Sequence, residues 1–393
     1  MLAVYYIFFL PFYIAVIGTV ILSAFVFLKS LLGPKETLPK LYYKESTLAT
    51  HILRKCSLAT RMFSVELILR NRHLQTLLPW ILPHASVQFD REYLLLKDKG
   101  VVALDWVSNI HVQKRKRKTV MVVIPGITGC AVGVSKICHA AAKRGFQTVV
   151  FNRRGHGGTV LTTPKFQSYG DPSDLRQVVK YIHGRFPKAL ITMVSYGTGC
   201  EVLLSYLGEF GSSAHICGGV CISPSFDISE RSKQKINGVY DLFLLLYLKK
   251  ILWQHAKALL KVVDVQRALK TWSLNEYDQC VSCKMHGYGT IEEFWERNNP
   301  LRDVDDISVP LMFVSSLDDP VYKNNNIPYD LFKYYPNFLM VATERGGHCG
   351  FLENLRSLSW ADSLTLDYLD AILEFTTKGF TIDYHKSPAR STI

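Results

Sequence analysis

Apolar positions along this chain fall into short blocks of two kinds. Val101–Trp106, Thr119–Ile124, Gln147–Asn152, Ala189–Val194, His215–Ile222, Pro310–Ser315 and Phe338–Thr343 are brief runs dominated by Val, Ile, Leu, Met and Phe. The second of them is apolar almost throughout, the pattern of a parallel strand buried on both faces. Between or after them, Ser135–Arg144, Asp174–His183, Cys200–Leu207 and Leu364–Thr376 space their apolar residues at helical intervals, and Pro172 and Asp174 stand where a helix start wants them. Strands alternating with helices predict an α/β fold with a doubly wound, mainly parallel sheet.

Three stretches break the alternation. Residues 29–90 read as a polar, mostly helical or irregular lead-in, ahead of the α/β domain at 91–376, and 377–393 as a tail. Residues 227–299 read as a helical cap over one end of the sheet. Within it Val239–Val263 carries Leu, Tyr, Trp and Lys at helical spacing, with almost no Gly or Pro. Its apolar stripe suits packing down on the sheet, and in a tethered protein it would also suit lipid. The third stretch, 2–28, contains no charged side chain. As a helix it is long enough to cross a hydrocarbon core of about 30 Å. No Lys or Arg precedes the run and no small-residue cleavage site closes it, so a membrane anchor is expected; a secreted chain after signal cleavage is the alternative. Lys29, Lys35 and Lys40 follow it, which puts the main body on the cytosolic side, on an endomembrane such as that of the endoplasmic reticulum.

The 393 residues are 48% hydrophobic and 20% charged, a globular composition with ample apolar mass for one large core. Net charge is +13, which suits an anionic membrane surface or nucleic acid equally. The basic run Lys114–Lys118 stands beside a predicted strand with no zinc finger, RNA-binding aromatic motif or Walker A loop, so it reads as a solvated loop and no nucleic-acid partner is expected. Nine scattered cysteines suit reduced thiols. Cys280 and Cys283 make one CxxC without a second ligand pair, so neither metal nor cofactor is expected.

The chemistry-bearing residues sit at predicted strand ends, where such folds build their sites. The turn Pro125-Gly126-Ile127-Thr128-Gly129 leaves backbone N–H groups free to face a ligand oxygen, which makes Ile127 a candidate oxyanion donor. The turn Met193-Val194-Ser195-Tyr196-Gly197-Thr198-Gly199 lies between a strand and a helix, where a nucleophile would occupy a sharp bend flanked by small residues. Later come Asp318-Asp319-Pro320 after one strand and Gly346-Gly347-His348-Cys349-Gly350 after the next. Nucleophile turn, acid, then histidine is the chain order of a hydrolytic triad on this kind of sheet. Asp319 is the candidate acid, with Asp318 the neighbour it could be confused with, and His348 the candidate base.

These motifs resemble the α/β-hydrolase superfamily, and within it the membrane-anchored lipid esterases and phospholipases. The resemblance spans roughly Ser64 to Phe375 and includes His73-Leu74-Gln75-Thr76, Glu92–Val107, Arg153-Arg154-Gly155-His156, Gly170–Leu175, Leu204–Ser213 and Asn299–Asp305. It implies the α/β-hydrolase fold, a membrane-lipid or acyl-lipid ligand, a regulatory protein partner and a part in lipolysis or lipid storage.

At the bend the chain departs from the active members. Aligned without a gap from Pro187 through Gly208, the nucleophile position falls on Gly197, with Ser195 and Gly199 as the flanking small residues and Thr198 as the second oxyanion donor. Glycine keeps the bend and loses the attacking oxygen, which implies a catalytically impaired protein. In the other register Ser195 is the nucleophile of a working lipid esterase, Tyr196 supplies the second donor, and Met193 occupies a position that wants a small side chain.

Overall fold

The computed structural model describes residues 36–108, 110, 115, 117–227, 238–322, 327–379 and 382. The proposed anchor at 2–28 and nearly all of the tail lie outside them. Among the described residues no helix is long and apolar enough to cross a membrane.

Nine strands form one sheet: β1 (Lys40–Tyr43), β2 (Gln88–Leu95), β3 (Val101–Ser108), β4 (Thr119–Ile124), β5 (Gln147–Asn152), β6 (Leu190–Tyr196), β7 (Gly218–Ile222), β8 (Leu311–Ser316) and β9 (Phe338–Thr343). Their spatial order is β1-β9-β8-β7-β6-β4-β5-β3-β2. The six strands from β9 to β5 run parallel, while β1 at one edge and the β2–β3 hairpin at the other pair antiparallel. The sheet is therefore mixed, with a parallel centre.

Successive residues of each central strand face opposite layers, and both layers are apolar. Met121, Val123, Val194, Val220 and Val341 pack with helices α3 (Ser135–Lys143) and α7 (Trp360–Thr377). Val120, Val122, Met193, Cys221 and Phe313 pack with α4 (Ser173–Arg185) and α5 (Gly199–Phe210). This two-sided burial explains why those strands read as unbroken apolar runs.

The stretch read as a polar lead-in is structurally part of this body. It supplies β1, which hydrogen-bonds to β9, and helices α1 (Thr47–Lys55) and α2 (Arg72–Ile81). Leu48 and Ile52 of α1 are buried in the same core as α7, and Phe63 stacks obliquely on Trp360 with ring centroids 5.2 Å apart. The described part of the basic run also folds back: Arg115 lies 3.8 Å over the Phe146 ring and pairs with Asp370. Hence it is anchored to the domain.

The insertion begins with α6 (Val239–Gln254), followed by short helices. Its own core, around Leu245, Leu248, Leu252, Leu259, Phe294 and Trp295, continues into Ile127, Leu161 and Tyr169 of the main body. The helix carries apolar residues on more than one face: those three leucines of α6 pack inward, while Leu242, Phe243 and Leu246 are exposed.

Candidate functional site

The bend between β6 and α5 is built on backbone contact. Gly199 opens α5, and a Cβ there would lie 2.4 Å from the Ile124 carbonyl oxygen and 2.9 Å from that of Pro125. Only glycine lets the helix cross the β4 end this closely. Gly197 sits at the apex with φ +48°, the left-handed region that a strained nucleophile turn requires. A Cβ on Gly197 would point at His348, 3.1 Å from Nε2 and 3.7 Å from Cε1. Ser195 lies two residues back, inside the strand and fully buried. Its hydroxyl donates to the Val220 carbonyl at 3.1 Å and touches the sulfurs of Cys200 and Cys221 at 3.3 and 3.5 Å. The structure therefore brings Gly197 to the imidazole and keeps Ser195 in the sheet.

His348 and Asp319 meet at the ends of β9 and β8. Asp319 Oδ2 lies 2.8 Å from His348 Nδ1, and its Oδ1 accepts the backbone N–H groups of Val321 and Tyr322 at 2.7 and 3.0 Å. Asp318 turns the other way and accepts the Gly347 N–H at 2.9 Å; burial pushes its carboxyl up. Burial also opposes a charge on His348. Even so, the neighbouring Cys349 sulfur and the Asp319 carboxylate, the latter hydrogen-bonded to the ring, hold its pKa well above the ordinary 6.5.

Helix α2 clamps this loop. The His348 N–H donates to Thr76 Oγ1 at 3.0 Å. Buried Gln75 accepts the Leu352 N–H at 2.8 Å and donates to the carbonyls of Leu69 and Leu352, both at 2.9 Å. Gly347 has φ +57°, and a Cβ there would collide with Arg72 O, Gln75 Cβ and Thr76 Oγ1 at 2.6–2.8 Å.

At the oxyanion turn the Ile127 N–H is already occupied: it donates to Thr198 Oγ1 at 2.6 Å. The residue expected to donate its own N–H beside Ile127 thus places its hydroxyl on that donor instead. Behind the bend, fully buried Arg153 donates to the Thr198 carbonyl at 2.7 Å. Gly197, His348, Asp319, Thr76, Ile127 and Thr198 line one cavity of about 650 Å³, walled also by Trp80 and Leu77 of α2, Val134, Phe226, Phe243, Leu244 and Tyr247. Its walls are mostly apolar with a few converging polar groups, the make-up of a pocket for an apolar ligand. Chemically the arrangement offers a carboxylate-held imidazole, a thiol and an apolar chamber. It offers no side-chain hydroxyl at the apex of the bend.

Sequence reasoning named Asp319, His348, Gly197, Ile127 and Thr198, and all five gather here. It also named Ser195, which the fold keeps apart. It did not name Gln75 and Thr76 as the clamp, the Thr198 hydroxyl as the occupant of the Ile127 donor, or Cys349 as a neighbour of the imidazole. The His73–Thr76 segment was the one visible signal for the clamp.

A nine-stranded sheet with this strand order, a glycine-framed bend after β6, and an acid and histidine after β8 and β9 define an α/β-hydrolase. The chain belongs to the α/β-hydrolase superfamily: residues 115–337 match the family described as Hydrolase_4, serine aminopeptidase, S33, and one curated relative is 39% identical over 314 residues. That relative is human Protein ABHD15, matched over 77% of this chain and 67% of its own length. Bovine Phospholipase ABHD3 is 28% identical over 76% of each chain, and mouse Monoacylglycerol lipase ABHD2 is 27% identical over 86% of each.

Proposed function

We propose that this chain is a membrane-anchored α/β-hydrolase-fold protein of lipid metabolism that binds an acyl lipid and has lost serine-ester chemistry at Gly197. Gly197 carries the reading. The imidazole faces the place where a nucleophile's side chain would stand, 3.1 Å from the position of its Cβ, and glycine puts no hydroxyl there to activate. The Thr198 hydroxyl on the Ile127 N–H points the same way, since losing one oxyanion donor costs about 10²–10³ in rate.

Supporting the lipid part are the apolar cavity of about 650 Å³ and relatives named as a phospholipase and a monoacylglycerol lipase. Those activities are theirs; an acyl chain as ligand is what we carry to this chain. An acyl lipid would lay its chain along Leu77, Trp80, Phe243 and Leu244 and bring its head toward His348 and Tyr240. Residues 2–28 would hold the domain on the cytosolic face of a membrane, and the loaded or empty domain would act on a protein partner in lipolysis or lipid storage.

The test is a fluorophosphonate serine-hydrolase probe together with titration of a fluorescent fatty acid. The reading expects saturable fatty-acid binding, displaced by monoacylglycerol, and no labelling. Labelling that disappears in Ser195→Ala would establish an active esterase using Ser195, Asp319 and His348 and end the reading.

A further inference from the structure

The cavity also holds a thiol beside the imidazole, that of Cys349. Cys349 follows His348 on the loop after β9 with φ +60°, a strained backbone for a residue with a side chain. Its N–H donates to Ser223 Oγ at 3.0 Å, and its sulfur lies 3.8 Å from the Ile222 carbonyl. The sulfur faces the same space as the His348 ring. Since Nδ1 is engaged by Asp319, Nε2 is the nitrogen left to it. Nε2 and Sγ lie 3.1 and 4.0 Å from the point where a Cβ on Gly197 would stand. The carboxylate-held imidazole and the sulfur thus stand side by side at the open space over Gly197, inside the apolar chamber. A histidine oriented by an acid is the partner that makes a thiol reactive.

What such a thiol can attack is narrowed by the oxyanion turn. Acyl transfer to sulfur builds negative charge on one carbonyl oxygen and needs a donor there, and the Ile127 N–H is occupied by Thr198. Conjugate addition spreads that charge over an enolate and needs only a proton returned to carbon.

We propose that Cys349 is a covalent capture site for lipid-derived α,β-unsaturated carbonyl compounds, the alkyl enals and enones formed when polyunsaturated acyl chains oxidise. His348 takes the thiol proton, sulfur bonds to the β-carbon as the carbon–carbon π-bond breaks, and the enolate α-carbon receives the proton back from Nε2. The product is a saturated thioether holding every atom of both partners, with no oxidant or leaving group. The proposal rests on the lipid-cavity part of the reading above and is independent of lost hydrolysis.

The experiment treats the full chain with nonenal and follows adducts by intact mass and peptide mapping. Cys130 lines the same cavity and serves as the internal control. Expected is an adduct of the whole aldehyde mass on Cys349, formed about tenfold or more faster than on Cys130, slowed about tenfold in His348→Gln, and absent in Cys349→Ser. Cys349→Gly, which suits the positive φ, must give the same loss, so that misfolding of one variant does not decide the result. Equal rates at Cys349 and Cys130, or indifference to His348→Gln, would overturn the proposal. So would a thioester on Cys349 after exposure to a nitrophenyl acyl ester, which would make the thiol an acyl acceptor instead. Fatty-acid titration of the same preparation separates the two readings. Binding retained with no adduct sinks only the capture site, whereas absent binding with no adduct sinks the lipid cavity as well.

Discussion

Placing a hydroxyl at the bend tests whether the groups around Gly197 can support hydrolysis. In Gly197→Ser the new Cβ would stand 3.1 Å from His348 Nε2. A serine donating to that nitrogen at about 2.8 Å needs its Cβ about 3.5 Å away, so the ring must retreat by about 0.4 Å. The ring has limited freedom to do so, because Asp319 holds Nδ1 at 2.8 Å and Thr76 holds the backbone N–H at 3.0 Å. A side chain at φ +48° adds about 1 kcal/mol of backbone strain, which lowers Tm by about 2–3 °C in a domain of this size. The oxyanion turn is a second obstacle. With Ile127 N–H still on Thr198 Oγ1, the single variant should take up a fluorophosphonate probe only slowly. Thr198 Oγ1 makes no capping bond to α5, so Thr198→Ala frees the donor at little cost to the helix. The double variant should hydrolyse a nitrophenyl ester about 10²-fold faster than Gly197→Ser alone, and His348→Gln should abolish labelling in both. If the folded double variant shows no labelling above the unmodified protein, the assignment of Gly197 to the nucleophile position is wrong.

Further predictions concern the scaffold. Gln75→Ala removes three hydrogen bonds from a buried side chain and leaves backbone partners unsatisfied; urea unfolding should show a loss of about 2–4 kcal/mol. Arg154 is buried between Asp174, which it grips through two bonds, and Asp98. Asp174→Asn leaves the guanidinium short of its buried counter-charge and should cost about 3–5 kcal/mol in the same assay. Burial lowers the His156 imidazole from 6.5 to about 4. Below pH 6.5 the unfolded chain takes up a proton that the folded one refuses, so stability present above 6.5 is lost as pH falls toward 4, on the order of 3 kcal/mol. His156→Phe should flatten that slope in urea melts between pH 7 and about pH 4.5, and an unchanged slope would refute the assignment.

How far the sequence could be read depended on whether a contact was local. Thr119–Ile124 and Phe338–Thr343 were delimited as observed, because a strand buried on both faces writes itself as a nearly continuous apolar run. β1 did not stand out. It is a four-residue edge strand, half exposed, and its only ladder partner lies about 300 residues away in β9. The glycines, the acid and the histidine of the site were legible because turn chemistry constrains them one strand end at a time. The Thr198–Ile127 bond, the grip of α2 on the histidine loop and the sulfur beside the imidazole were not. Each joins segments whose approach is set only when the sheet closes. Ser195 was ambiguous for the same reason: a serine two residues before a glycine is compatible with either register until Gly199 is seen pressed against the Ile124 carbonyl.

Asp319 also ties down two backbone amides of its own turn, and the histidine loop is stapled to α2 through Thr76 and Gln75. An acid and a histidine loop so embedded hold neighbouring segments in place whether or not any bond is cleaved. The acid and the histidine therefore do framing work in this fold, and their pairing by itself is no measure of turnover.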